Sequence, residues 1–434
     1  MSLVANAAAR IYYRLSLAGE RVPSKGSVLL VANHPNSLLD PVLVAAAAHR
    51  PVRFLAKAPL FTDIKVGWLV RASGAIPVYR HVDNPDTMKG NVDMFRAVHR
   101  ELAGGAAIGI FPEGVSHSEP GLATLKTGAA RIALGAVAQR HETFPIVPVG
   151  LVFRQKDVFR SEALAVVGKP IRWDDMAGRS PEDRDAVREL THRIDAGMRQ
   201  VTINLERWED QPLVDGAEAM WQAERDDNAD PARKVSRLET VTSLLAKFRN
   251  HPDARSTQLI EDVTTHCRGL GRLGITPGEL KADVRLRASV KWGLRRFYLL
   301  GAPAVLVGVA GLVLFWLPNW LTGRIATAMR PKADQTSTYR LLVGIALYVL
   351  WIGSLATAAW WFGGITTGVA ALVLVPVVGV VGRRTREKWR GAWKDTRRFF
   401  MLRSRPAQIA SLQRRQREIG ERLAALYEEV NSEQ

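Results

Sequence analysis

The segment Asn33-His34-Pro35-Asn36-Ser37-Leu38-Leu39-Asp40-Pro41 decides the fold. An apolar run precedes it and an alanine- and valine-rich run follows it, which predicts a strand, a tight turn and a helix. Asp40 and Pro41 are typical of a helix start, with a capping carboxylate followed by a proline ring at the first helical position. His34 is therefore expected at the carboxyl end of a strand, where open α/β sheets bind their ligands.

The spacing of His34 and Asp40 allows them to act together. On one helix, residues six positions apart would lie on different faces, but a turn lets the two side chains fold back toward each other. A carboxylate bonded to one imidazole nitrogen would fix the tautomer and leave the other nitrogen to accept a proton from a substrate hydroxyl. A helix cap at Asp40 and a turn histidine bonded to backbone fit the same residues, so the segment alone leaves both interpretations open.

Strand and helix patterns alternate along the first 207 residues. This alternation predicts an α/β fold with a mixed, largely parallel sheet flanked by helices. The N-terminal stretch at 4–17 is amphipathic, and a helix there suits either a membrane surface or the core of its own domain. Strands are predicted at 27–32, 52–56, 75–79, 106–111, 146–153 and 164–167, and helices at 41–49, 61–71, 87–102, 125–138 and 175–205.

Charged residues recur where the predicted strands end. Lys57, Arg80 and Glu113 follow three strands, and Lys126 lies one turn into a following helix. In a parallel sheet these residues converge on the edge that carries His34, and two or three cations near helix N-termini make a phosphate site. Taken singly, each cation also fits a solvated surface charge, and Glu113 also fits a carboxylate that binds turn amides.

Composition narrows the classes of function. A net charge of +18 favours an anionic partner, namely nucleic acid, a membrane surface or a phosphorylated substrate. The single cysteine, Cys267, excludes an internal disulfide and a cysteine-rich metal site. The histidine, aspartate and glutamate residues do not have the spacing of metal ligands, so no metal is expected. A serine hydrolase is excluded because the Gly-x-Ser-x-Gly elbow is missing, and residues 1–20 show no signal-peptide pattern.

The rest of the chain predicts a membrane anchor. A first domain at 1–207 is followed by a helical connector at 208–296, membrane segments within 297–382, and a basic, amphipathic helical tail at 383–434. Three apolar runs, at 297–321, 341–363 and 365–382, approach or exceed the roughly 20 residues that cross a bilayer. A buried helical core is the alternative, and three such runs in succession favour the membrane.

Basic clusters constrain the topology. They flank all three apolar runs, and the positive-inside rule would place every cluster in the cytoplasm. A hairpin at 341–382 satisfies this rule if 297–321 is re-entrant or lies on the surface. The tail interleaves cations with aromatic residues, which suits anionic lipid headgroups at about 1 kcal/mol per cation. Nucleic acid would also fit such a tail, but its position after a membrane hairpin favours an anionic phospholipid membrane as the partner, with no nucleic acid.

With these segments in place, the chain resembles the glycerolipid acyltransferase superfamily, which contains glycerol-3-phosphate and 1-acylglycerol-3-phosphate acyltransferases. Four blocks match that superfamily in order within residues 15–205. The first contains His34 and Asp40, and the second ends at Arg80. The third is Phe111-Pro112-Glu113-Gly114 with its continuation at 121–128, and the fourth lies at 146–149.

Two features depart from the common pattern. Five residues rather than four separate His34 from Asp40, and Val115-Ser116-His117-Ser118 stands where Thr-Arg-Ser is usual. Both features resemble the branch of fungal glycerol-3-phosphate/dihydroxyacetone-phosphate acyltransferases, which also carries C-terminal membrane segments. Because the usual arginine is missing, Arg80, Lys57 and Lys126 are the expected phosphate ligands.

The resemblance implies fatty acyl transfer from acyl-CoA or acyl carrier protein, as co-substrate, to a hydroxyl of glycerol 3-phosphate or dihydroxyacetone phosphate in phospholipid biosynthesis. It implies no resident cofactor. His34 would be the general base and Asp40 its orienting partner. Glu113 and Gly114 would shape the acceptor pocket, and Ser116 and His117 are further substrate-binding candidates.

The resemblance also implies an integral membrane enzyme whose catalytic domain lies on the cytoplasmic face, at the inner membrane of a bacterium or the endoplasmic reticulum of a eukaryote. Two alternatives remain open. The acceptor could be lysophosphatidate or another lysolipid, or the chain could be a membrane-tethered scaffold with an inactive acyltransferase domain. The intact His34/Asp40 and Glu113/Gly114 sets argue against the scaffold.

Overall fold

The computed structural model describes residues 2–64, 66–79, 90–140, 142–225, 231–281 and 302–432. It divides into two compact units. The first comprises Met1–Gln211, Ala229–Ala246 and Lys332–Thr338, and the second comprises Pro212–Asn228, Lys247–Pro331 and Tyr339–Gln434. Two short segments from later in the sequence thus belong to the first unit, while the four-part division of the sequence stays a prediction.

The first unit is built on a seven-stranded sheet with the order β1-β7-β6-β2-β5-β3-β4. Neighbouring strands pair in parallel except β6 and β7, which are antiparallel. The predicted fold class, a mixed and largely parallel sheet with flanking helices, is confirmed. The strands are β1 (Arg14–Gly19), β2 (Val28–Ala32), β3 (Val52–Lys57), β4 (Ile76–Val78), β5 (Ala107–Ile110), β6 (Ile146–Phe153) and β7 (Glu162–Val167).

Helices cover the sheet of the first unit and enclose its core. The central strand β2 is buried at every residue, as a strand covered on both faces must be. The core joins this sheet to side chains of helices that follow β4, β5 and β7, among them Val98, Leu134 and Leu190. The helices are α1 (Ser2–Tyr12), α2 (Leu39–Ala48), α3 (Pro59–Thr62), α4 (Gly67–Ala72), α5 (Gly90–Ala103), α6 (Gly128–Arg140) and α7 (Arg184–Arg199).

Three predictions about local structure were wrong. The N-terminal amphipathic stretch is helical only to Tyr12, because Arg14 to Gly19 pair in register with β7 as an edge strand. The helix predicted at 61–71 is interrupted after α3, where Asp63 has extended backbone and accepts from the Val66 amide at 3.1 Å. The long helix predicted at 175–205 begins at Arg184, because the Asp183 side chain caps it there.

The second unit contains helices that are long and apolar enough to cross a membrane. These are α11 (Ala302–Ala328), α12 (Thr336–Gly363) and α13 (Ile365–Ser404), and at most 17% of the residues in their most apolar windows are buried. A buried helical core does not explain such exposure. The remaining helices are α8 (Gln211–Arg225), α9 (Pro231–Asn250), which lies mostly in the first unit, α10 (Ala254–Leu273) and α14 (Pro406–Ser432).

The apolar helices differ from the predicted segments in their bounds. The first run was predicted from residue 297, which lies outside the described residues, and its helix extends beyond 321 to Ala328. The third run and the part of the basic tail up to Ser404 form one continuous helix of 40 residues. The basic residues after 382 are good helix formers, so nothing ends the helix where the charge begins.

Candidate active site

The turn between β2 and α2 holds His34 at the carboxyl edge of the sheet. The Asn33 amide group donates to the Leu151 carbonyl at 3.0 Å and accepts from the Leu151 amide at 2.7 Å, which ties the end of β2 to β6. Ser37 has a φ of 50°, so the chain turns sharply before α2 begins at Leu39. His34 thereby lies where the sequence predicted it, at the end of a central parallel strand.

His34 and Asp40 are in contact. His34 Nδ1 and Asp40 Oδ2 are 2.8 Å apart, and the Asn36 amide donates to the same oxygen at 2.7 Å. The Asp40 side chain is fully buried, whereas the His34 side chain is 19% exposed. Burial raises the pKa of the Asp40 carboxyl, and its hydrogen bonds with His34 and Asn36 oppose that rise.

The helix cap predicted at Asp40 was wrong. Leu38 is the N-cap of α2, and Asp40 lies inside the first turn with its carboxylate turned back to the loop. The His34 ring stacks on Phe111, with centroids 4.0 Å apart and planes inclined by 10°. With Nδ1 held by Asp40, the Nε2 atom has no hydrogen-bond partner within the described part of the chain.

Glu113 joins the two loops of the site. Its carboxylate is buried, and Oε1 accepts from the His34 amide at 2.7 Å. Oε2 accepts from the Ala123 amide at 3.0 Å and from His117 Nε2. The His117 amide donates in turn to the His34 carbonyl at 3.1 Å. Glu113 therefore fixes the backbone on either side of the turn that carries His34.

The other residues singled out in the sequence are distributed as follows. Ser116 Oγ accepts from the Ser37 amide at 3.0 Å, and the Lys126 side chain lies against Gly114, where a Cβ atom would come within 2.8 Å of its Nζ. Lys57 ends β3 at the same edge of the sheet, with its side chain exposed. Arg80 lies outside the described residues. The structure thus brings every described candidate to one edge of the sheet.

Several residues of the site carried no sequence signal. The Tyr13 hydroxyl accepts from Asn36 Nδ2 at 2.6 Å, and Lys156 Nζ donates to the Pro35 carbonyl at 2.8 Å. Lys156 Nζ also donates to Ser118 Oγ at 2.6 Å. Burial lowers the pKa of this ammonium, while the negative charge of Asp40 opposes that shift.

A cationic cleft of about 540 Å³ lies between the start of α6 and the length of α7. Thr124, Leu125 and Thr127 line it, and they flank Lys126 in the sequence. The cations of α7 recur mostly every four residues and so share one helix face. The basic residues of the cleft are Arg131, Arg184, Arg188, His192 and Arg199.

Comparisons with known proteins agree with this geometry. The Acyltransferase family model matches residues 14–152, which include the His34 turn and the Glu113 loop. Over these residues the match supports the resemblance to the glycerolipid acyltransferase superfamily that the four sequence blocks predicted.

Individual relatives point to the glycerol-3-phosphate acyltransferase branch. The chain is 26% identical over 280 residues to glycerol-3-phosphate O-acyltransferase 1 of Saccharomyces cerevisiae, covering 59% of this chain and 36% of that protein. It is 27% identical to glycerol-3-phosphate O-acyltransferase 2 of the same yeast, covering 60% and 35%. The chain thus spans about a third of the length of these two relatives.

Two bacterial acyltransferases are also similar to the chain. The 1-acyl-sn-glycerol-3-phosphate acyltransferase of Streptococcus pneumoniae is 26% identical, covering 44% of this chain and 66% of that protein. Among solved structures, the 1-acyl-sn-glycerophosphate acyltransferase of Thermotoga maritima matches with a TM-score of 0.34 and 17% identity, covering 46% of this chain and 78% of that one.

Proposed function

We propose that this protein is a membrane-bound acyltransferase that moves a fatty acyl group from a thioester, acyl-CoA or acyl carrier protein, to a hydroxyl of glycerol 3-phosphate or dihydroxyacetone phosphate. The observation that carries the proposal is the His34–Asp40 pair, in which Nδ1 is held at 2.8 Å and the partly exposed ring presents Nε2. The names of the two yeast relatives support the acceptor.

The reaction needs one base and no protein nucleophile. His34 Nε2 accepts the proton of the acceptor hydroxyl while the hydroxyl oxygen attacks the carbonyl carbon of the thioester. The new C–O bond forms, the C–S bond breaks, and the thiolate leaves with the proton that His34 returns. Asp40 stabilises the imidazolium between these two proton transfers, and general-base catalysis of this kind contributes roughly 10²–10⁴-fold.

The acceptor phosphate is assigned to the cations beside the turn. Lys126 and Lys57 lie at this edge, and Arg80 follows β4 in the sequence. Both Glu113 oxygens already accept hydrogen bonds from the protein, so Glu113 shapes the pocket by holding its walls rather than by binding the acceptor. Gly114 leaves room for the Lys126 side chain, which a Cβ atom would displace.

The donor is assigned to the cationic cleft along α7. Arg184 and Arg188 are one helical turn apart, and like charges at that spacing destabilise a helix by a few tenths of a kcal/mol. A phosphate-bearing carrier would compensate that repulsion. The cleft borders residues 124–127, so a carrier bound there has its thioester end close to the loop of Glu113 and Lys126.

Lysophosphatidate is the second candidate acceptor. The Streptococcus pneumoniae relative, named a 1-acylglycerol-3-phosphate acyltransferase, matches 44% of the chain. The exposed apolar helices support a membrane as the location of either reaction, and we assign the basic stretch of α13 to anionic lipid headgroups.

One assay tests these assignments. The purified full chain in nanodiscs is given acyl-CoA or acyl carrier protein donors with glycerol 3-phosphate, dihydroxyacetone phosphate or lysophosphatidate, and product is counted. We expect one of the first two acceptors to give the highest kcat/KM. A preference for lysophosphatidate would establish the second candidate, and no product from any pair would establish the inactive scaffold.

The cleft is tested in the same assay. Arg184→Gln combined with Arg188→Gln should raise the donor KM several-fold, about 1 kcal/mol, and leave the acceptor KM unchanged. Arg193→Gln is the matched control, since Arg193 lies on the same helix but is not among the residues that line the cleft. An unchanged donor KM in the double variant would remove the cleft from donor binding.

A further inference from the structure

The first turn of an apolar helix lies inside the catalytic unit. The segment Lys332–Thr338 belongs to the first unit, although α12 continues to Gly363 in the second. Ser337 is 1% exposed, and Asp334 and Thr338 are also buried. Polar residues are seldom buried this completely without a structural or functional reason.

Ser337 contacts two residues of the site. Its hydroxyl donates to the Lys156 carbonyl at 2.5 Å and lies 3.5 Å from the Tyr13 hydroxyl. The Tyr13 hydroxyl donates to the same Lys156 carbonyl. Two buried hydroxyls thus hold one carbonyl, and that residue's ammonium group donates to the Pro35 carbonyl inside the catalytic turn.

The chain of hydrogen bonds continues to the dyad. Tyr13 accepts from the Asn36 side chain at 2.6 Å, and the Asn36 amide donates to Asp40 Oδ2 at 2.7 Å. Asp40 holds His34 Nδ1. Tyr13, Asn36 and Asp40 have no measurable exposure, so water does not replace any of these bonds if one is lost.

We propose that the first turn of α12 is part of the active-site scaffold, in which Ser337 acts as a positioning residue for His34 and Asp40 through Lys156, Tyr13 and Asn36. The apolar helix that anchors the protein is then also the element that holds its catalytic turn in place. This inference rests on the proposed function only for its kinetic readout, because the hydrogen-bond chain can be tested without substrate.

The test compares two neighbouring hydroxyls in the full chain. Ser337→Ala removes the bonded hydroxyl, whereas Thr338→Val removes a buried hydroxyl that has no hydrogen-bond partner among the described residues. Deuterium exchange is followed by mass spectrometry on the peptide that covers residues 33–40. We expect Ser337→Ala to speed exchange there by about tenfold, and Thr338→Val to leave it unchanged.

Kinetics supply the second readout. Ser337→Ala and Tyr13→Phe should each lower kcat by about tenfold at unchanged KM for donor and acceptor, because a misplaced base slows chemistry without weakening binding. The proposal would be overturned if residues 33–40 exchanged at the wild-type rate in both Ser337→Ala and Tyr13→Phe. It would also be overturned if Ser337→Ala and Thr338→Val had equal effects. If Ser337→Ala speeds exchange but the wild-type protein transfers no acyl group, the hydrogen-bond chain from Ser337 to the catalytic turn is upheld and the proposed function is refuted.

Discussion

Two histidine–carboxylate pairs lie side by side at this edge of the sheet, and they differ in what each leaves unbound. In both, a fully buried carboxylate contacts a partly exposed ring, His34 with Asp40 and His117 with Glu113. Asp40 contacts His34 at Nδ1. Glu113 contacts His117 at Nε2, and His117 Nδ1 accepts from the Glu119 amide at 3.1 Å.

This difference distinguishes His34, the proposed general base, from His117, which we call the brace because its hydrogen bonds hold the loop rigid. His117 has both ring nitrogens engaged by the protein, which fixes it as the neutral tautomer that donates to Glu113. His34 Nε2, by contrast, has no hydrogen-bond partner among the described residues. Under the proposed mechanism, a histidine paired with a carboxylate would supply proton transfer in one loop and rigidity in the other, with the two histidines 83 positions apart.

Replacing the base tests the comparison most severely. His34→Ala should lower kcat by roughly 10²–10⁴-fold, the range that a general base contributes, while the unfolding midpoint changes little. Acyl transfer to the preferred acceptor and thermal unfolding in detergent are measured together. His251→Ala, at an exposed histidine outside the site, is the control. Near-normal turnover in His34→Ala would end the assignment of this pair as catalytic.

Replacing the orienting carboxylate should have the next largest effect. Asp40→Asn keeps the shape but lets its amide donate to Nδ1, which favours the tautomer with a proton on Nε2 and blocks proton acceptance. We expect kcat to fall by roughly 10²-fold, the lower end for general-base catalysis, at constant KM. A rise in KM with normal kcat would mean that Asp40 serves binding instead of tautomer control.

The sequence predicted the contact between His34 and Asp40 because the two residues are close in the chain. His34 and Asp40 lie within one turn, and the strands that bring Glu113 and Lys126 to the same edge have strong apolar patterns. Parallel strands have their carboxyl ends at the same edge of a sheet, so the residues that follow them come together there. The difference between the two histidines could not be predicted, since it depends on which ring nitrogen meets which backbone amide.

The supporting residues were missed for a topological reason. The stretch before Gly19 fits an amphipathic helix as well as a strand, so β1 was not predicted. Because β1 runs antiparallel to the central strands, its start brings Tyr13 to the carboxyl edge. The contact of Tyr13 with Ser337 spans 324 residues, and no local pattern encodes a contact of that separation.

Replacing His117, the brace, should lower turnover less than replacing His34, the proposed base. His117→Gln can still donate to Glu113 but loses the acceptor for the Glu119 amide, so the free energy of unfolding should fall by about 1 kcal/mol. Turnover should stay within about tenfold of wild type, which corresponds to a barrier change of at most about 1.4 kcal/mol. Chemical denaturation and steady-state kinetics measure both effects. A loss as large as that of His34→Ala would make His117 a second catalytic residue and erase the distinction.

The variant with the smallest expected effect on kcat asks what the loop held by His117 and Glu113 binds. Lys126→Met removes the cation beside Gly114 but keeps the length of the side chain. One charge-assisted hydrogen bond to a phosphate contributes about 1.5–3 kcal/mol, so the acceptor KM should rise about tenfold while kcat and the donor KM change little. Lys169→Met is the matched control, because this exposed lysine follows β7, which ends at the opposite edge of the sheet. If both variants raise the acceptor KM equally, the effect comes from net charge and the braced loop holds no phosphate. If only Lys126→Met does so, the second pair keeps rigid the loop that binds the acceptor, while the first pair activates the acceptor's hydroxyl.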